Sequence, residues 1–143
     1  MGTRTARTDH APVHVRVPFA ASSVAVARLR LKQWMAENGS SRERIEDARV
    51  IVSELVTNAV RHARPLPDGN ILITWRVEGL ELEVAVTDGG APTFPRKVSA
   101  PSTALAGRGM AIIETLALSW WAERTRSEST VRARLSMACG PLK

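Results

Sequence analysis

Apolar and polar residues alternate over His14-Val15-Arg16-Val17-Pro18, the period of a strand with one buried face. The proline places that strand at a sheet edge, where a missing N–H is tolerated. From Ser22 to Glu37 the period lengthens. Val24, Ala27, Leu31 and Met35 recur at helical spacing, and Asn38-Gly39 ends the run as a glycine commonly does. Ser40-x-x-Glu43 matches a capping box and opens a long second helix. Its buried stripe is Ile45, Ala48, Val52, Leu55 and Ala59, and Pro65 and Pro67 stop it.

The pattern then returns to strands. Asn70 to Val77 and Leu80 to Thr87 read as a hairpin turning at Glu78-Gly79. Pro92 to Ala106 is rich in Pro, Ser, Ala and Thr and has no helical stripe. A helix-like run begins at Gly107, and strands follow around Ser119–Glu123 and Thr130–Met137. This order predicts an α+β two-layer sandwich: a mixed, mostly antiparallel sheet with helices packed on one face. Residues 1–11 read as a loose tail and 12–143 as one domain.

Composition narrows the class. The 143 residues are 44% hydrophobic and 24% charged, ordinary for a soluble globule, and no apolar run reaches transmembrane length. Neither a signal peptide nor a membrane partner is expected. The single cysteine, Cys139, cannot close an internal disulfide and fits a cytoplasmic protein. His10, His14 and His62 lack metal-ligand spacing. The net charge of +6 invites a nucleic-acid reading, but the basic residues are scattered and not interleaved with aromatics. Trp34, Trp75, Trp120 and Trp121 fall within apolar patterns and read as core. No direct nucleic-acid binding is expected.

Three segments carry candidate chemistry. In Glu54-Leu55-Val56-Thr57-Asn58-Ala59-Val60-Arg61-His62, Glu54 and Asn58 stand four residues apart on one helix face. A carboxylate there can polarise a hydroxyl, and an amide oxygen can complete a magnesium shell built mainly of phosphates and waters. Thr87-Asp88-Gly89-Gly90-Ala91-Pro92 leaves a strand with an acceptor for an exocyclic amine beside glycines that admit a flat base. Gly107-Arg108-Gly109-Met110 opens a helix whose N–H groups can face phosphate. Each segment has a plain alternative: a surface helix, a loop leaving a strand, a helix entry. Their order and spacing together make coincidence a poor account.

These three segments resemble the N, G1 and G2 boxes of the GHKL ATPases, the group containing gyrase, histidine kinases and the heat-shock chaperone ATPases. The small size and the N-box wording are similar to the bacterial anti-sigma-factor serine/threonine kinases. The resemblance covers roughly residues 12 to 137. Two positions depart from it: Pro92 stands at the last glycine of the first glycine box, and Ala63 where glycine is frequent. The resemblance implies ATP and Mg²⁺ as cofactors, with Glu54 as general base and Asn58 holding Mg²⁺. Asp88 would take the adenine amine, with Gly90 letting the base lie against backbone. Gly107 and Gly109 would wrap the phosphates, with Arg108 either neutralising the γ-phosphate or facing solvent. Thr130 would support Asp88 through a water, or serve only as a strand threonine. Pro92 to Ala106 would be the ATP lid. The implied partners are a sigma factor and an antagonist (anti-anti-sigma) protein phosphorylated on serine, and the implied assembly is a homodimer. The alternative is a catalytically weak, nucleotide-responsive interaction module, towards which Pro92 and the short lid lean.

Overall fold

The alternation near the start of the chain is that of an outer strand. In the computed structural model, which describes residues 11–90 and 107–137, β1 (Val13–Pro18) buries Val15 and Val17 and pairs on one side only, with β2 (Asn70–Glu78). Pro18 sits on that edge, where its missing N–H breaks no ladder. The tail up to residue 10, Cys139 and the lid expected from Pro92 to Ala106 lie outside the described residues.

Helix α1 (Ser23–Glu37) buries Ala27, Leu31 and Met35 as its spacing predicts. The Ser23 hydroxyl, also buried, donates to the Pro18 carbonyl at 2.6 Å and ties the helix to the end of β1. At its other end the N–H groups of Gly39 and Ser40 reach back to Ala36 and Met35. This double closure needs a left-handed residue, and Gly39 supplies it at φ 80.

The cap of α2 (Arg42–His62) is one residue later than the capping-box reading places it. Ser41 is extended and its Oγ accepts the Arg44 N–H at 3.1 Å, whereas the buried Ser40 Oγ has no partner among the described residues. The Ser40 backbone is already committed to closing α1, which leaves Ser41 to start the next helix. Ile51 and Val56 join the predicted stripe, widening it so that α2 packs on the sheet, on α1 and on α3 (Gly107–Leu116) at once.

The hairpin of β2 and β3 (Glu81–Asp88) turns at Gly79-Leu80, because Glu78 and Glu81 are paired. Gly79 adopts φ 65 at the first loop position, where two-residue hairpins favour glycine. With β4 (Ser119–Arg124) and β5 (Ser129–Ser136) the order is β1-β2-β3-β5-β4, and all four ladders are antiparallel. The α+β layering holds, with the mostly antiparallel expectation extended to every described pair. Leu82, Val84 and Val86 of β3 and Ala133 and Leu135 of β5 face the helices and are buried. Among the described residues no helix is long and apolar enough to cross a membrane.

The other sheet face is polar. Glu83 is only 7% exposed there, and its carboxylate meets Arg132 at 3.0 Å, Arg134 at 3.2 Å and Arg76 at 3.8 Å. Glu78, Glu81 and Glu123 complete the network. Trp121 lies on this face beneath the Arg134 guanidinium, 5.9 Å from its ring centre. It is therefore a surface partner, unlike the fully buried Trp75.

Candidate functional site

The site is built where α2 ends against the end of β3. After His62 the chain turns extended at Ala63, in keeping with a following Arg64-Pro65 pair that disfavours helix. Arg64 then donates its N–H to the Gly90 carbonyl at 3.0 Å and accepts the Gly89 N–H at 2.8 Å. This two-way bridge fixes the last turns of α2 at the same sheet end as Asp88. Gly89 permits it: a Cβ there would collide with the Pro65 carbonyl oxygen and stand 3.1 Å from that of Arg64. Gly90 is needed for a different reason, its φ of +90, and faces open space. The two glycines thus divide the expected work. One lets two backbones meet, and the other leaves room beside the carboxylate.

Asp88 closes β3 on the helix side and is 6% exposed. Its Oδ1 accepts the Gly90 N–H at 2.7 Å, and its carboxylate takes no second hydrogen bond among the described residues. Burial pushes the carboxyl up to about 6, against the opposing pull of the Gly90 N–H and the Arg124 charge. The other carboxylate oxygen, unengaged among the described residues, can accept a hydrogen bond from a donor.

Glu54 and Asn58 both lie half-buried on α2, one turn apart on one face. Glu54 makes no ion pair among the described residues, while Asn58 is engaged with a neighbour. Gly107, Arg108 and Gly109 form the first turn of α3, whose N-terminal N–H groups have no intrahelical acceptor. Ile113 of α3 is buried in the core, and α3 packs along α2.

Thr130 is not brought to Asp88. It pairs with Thr87, and the two hydroxyls bond at 2.8 Å on the polar face of the sheet. The residue opposite Asp88 is Ser129, 8% exposed and on the helix side. The signal was in the alternation. Ala133 and Leu135 are the buried positions of β5, and counting back by twos through Val131 reaches Ser129.

Residues 17–135 match the histidine kinase-like ATPase domain family. The serine-protein kinase RsbW of Listeria innocua is 32% identical over 121 residues, 76% of this chain and 77% of that protein. The serine-protein kinase RsbW of Staphylococcus aureus is 36% identical over 80 residues, 54% of this chain and 50% of that protein. Among solved structures, that of the RsbU and RsbW domains of Rv1364c from Mycobacterium tuberculosis superposes with a TM-score of 0.69 at 21% identity. The match covers 90% of this chain and 33% of that one, and is a likeness of fold.

Proposed function

The chain belongs to the histidine kinase-like ATPase family, and on that premise we propose that it is an ATP-dependent protein serine kinase. Its acceptor is an antagonist protein that it phosphorylates on serine, and its second partner is a sigma factor that it sequesters, as a homodimer. The observation that carries the nucleotide reading is Asp88: a buried residue whose second carboxylate oxygen is unengaged among the described residues, beside a glycine that has none of them within 4 Å of an added Cβ. Adenine presents an exocyclic amine and guanine presents a carbonyl at the same position, so an anionic acceptor selects adenine.

The remaining roles are those the family resemblance implies. Gly107 and Gly109 at the start of α3 supply N–H groups for the phosphates, with Arg108 beside them. Among the described residues no three side chains form a metal site. The divalent ion that the family implies would be held by Asn58 and the phosphates of the substrate rather than by a protein cage. A magnesium ion held there by Asn58 would supply charge neutralisation for phosphoryl transfer. Glu54 takes the proton of the attacking serine hydroxyl as its oxygen bonds the γ-phosphorus and ADP departs.

A second reading, a nucleotide-responsive module without transfer activity, is favoured by Pro92 in the glycine-rich box. Incubation with γ-labelled ATP and an antagonist protein separates the two. Label on an antagonist serine supports the kinase, and nucleotide binding without label supports the module.

A further inference from the structure

Three residues share one row across the end of the sheet. Asp88 of β3 pairs with Ser129 of β5, and Ser129 pairs in turn with Arg124 of β4. In an antiparallel sheet directly opposed residues point to the same face, so all three stand on the helix side. Their exposure rises outward: Asp88 and Ser129 are buried, while Arg124 is exposed on the edge strand. Adjacent strands lie about 4.8 Å apart, so Arg124 starts roughly 10 Å from Asp88. An arginine side chain spans most of that gap.

We infer that Arg124 is a positioning residue of the nucleotide site, holding Asp88 as an acceptor from the neighbouring sheet edge and so preserving the preference for adenine. The inference rests on the reading of Asp88 given above. Other charged groups stand on the elements around this end of the sheet: Glu54, Arg61 and His62 of α2, Arg64 in the bridge to Gly89 and Gly90, and Glu114 of α3. Arg124 is the charge that acts on Asp88, against a burial penalty that favours the neutral acid. Placing that cation on a partly solvated edge avoids a second buried charge.

The consequence is chemical. As a carboxylate, Asp88 can only accept, and it repels the guanine carbonyl. As a neutral acid it carries an O–H that can donate to that carbonyl. Loss of Arg124 would therefore blur base selection at mildly acidic pH and leave it intact at alkaline pH.

The test measures ADP and GDP affinity by calorimetry from pH 5.5 to 8.5 for the wild type, Arg124→Gln, Arg124→Lys and Asp88→Asn. The Asp88 carboxyl is also titrated by NMR in the nucleotide-free protein. Arg124→Gln should raise the Asp88 midpoint by on the order of one pH unit. It should weaken ADP about fivefold near pH 6 with little change at pH 8.5, and Arg124→Lys should restore most of the difference. An unmoved midpoint would overturn the inference, as would an ADP defect in Arg124→Gln of equal size at every pH. If Asp88→Asn leaves ADP affinity and base preference unchanged, the nucleotide reading itself fails. The NMR midpoint still reports on the pairing in that case.

Discussion

β3 carries two buried acids on opposite faces, and they are satisfied very differently. Glu83 is 7% exposed and Asp88 is 6% exposed. Glu83 is surrounded by Arg76, Arg132 and Arg134, all within 3.8 Å. Asp88 has one backbone N–H, with Arg124 acting on it from two strands away. Similar burial with opposite satisfaction distinguishes the two acids on a single strand. The Glu83 side is a closed network that specifies cross-strand register. On the proposed reading, the Asp88 side keeps an acceptor open that a ligand's donor would engage.

That contrast is broken most forcefully at Glu54, which is half-buried and makes no ion pair among the described residues. Glu54→Ala should slow transfer to the antagonist by about 10²–10⁴ while ADP affinity stays within a few-fold. Melting temperature should hardly move. Transfer kinetics alongside a thermal melt would check both halves.

Glu83→Ala should do the reverse. Removing the acid leaves three guanidiniums facing one another, and breaking such a buried pair costs about 3–5 kcal/mol. The arginine side chains retain 30–43% exposure, so a loss of about 2–3 kcal/mol is expected here. ADP affinity of the folded fraction should be unchanged. Urea unfolding with calorimetry on the same sample gives both quantities.

Gly89→Ala lies between the two behaviours, because its Cβ would strike the Pro65 backbone, next to the Arg64 bridge that fixes α2 to β3. It should lower stability by about 1–3 kcal/mol and weaken nucleotide binding too. A loss of stability with full affinity would show that the bridge does not position the site.

The smallest effect has the most telling sign. Asp88 has a folded pKa of about 6 against an ordinary 3.8, so between about pH 4 and 6 the folded chain keeps a proton that the unfolded chain has released. Its contribution to stability is therefore present below about pH 4, declines through that window and is absent above it. Asp88→Asn should flatten this slope and make the nucleotide-free protein about 1–2 kcal/mol more stable at pH 7.5. Unfolding measured at pH 4, 5, 6 and 7.5 reveals the slope. A less stable variant at pH 7.5 would mean that Asp88 is a structural acid like Glu83.

Much of this was legible in the sequence, and the misplacements have common causes. Among the described residues, apolar period located β1, α1 and α2, because each buries one face. It did not settle which of two adjacent serines caps α2, since Ser40 and Ser41 differ only in what the preceding helix demands of the backbone. Thr130 comes only from the family resemblance, whereas the alternation of β5 puts Ser129 on the side of Asp88. The role of Gly89 was invisible for a stronger reason. Its neighbour is the Pro65 backbone, and no local pattern states that the segment after α2 will cross the end of β3. Arg124 was hidden in the same way, because its relation to Asp88 passes through two strand registers.

Whether Asp88 is the adenine acceptor is decided by a calorimetric titration of ADP and GDP into the wild type and Asp88→Asn at pH 8. The wild type should bind ADP and discriminate against GDP. Asp88→Asn should lose about 1.5–3 kcal/mol of ADP affinity, as for a charge-assisted hydrogen bond, together with most of the base preference. Equal ADP affinity and equal preference in the two proteins would contradict the account.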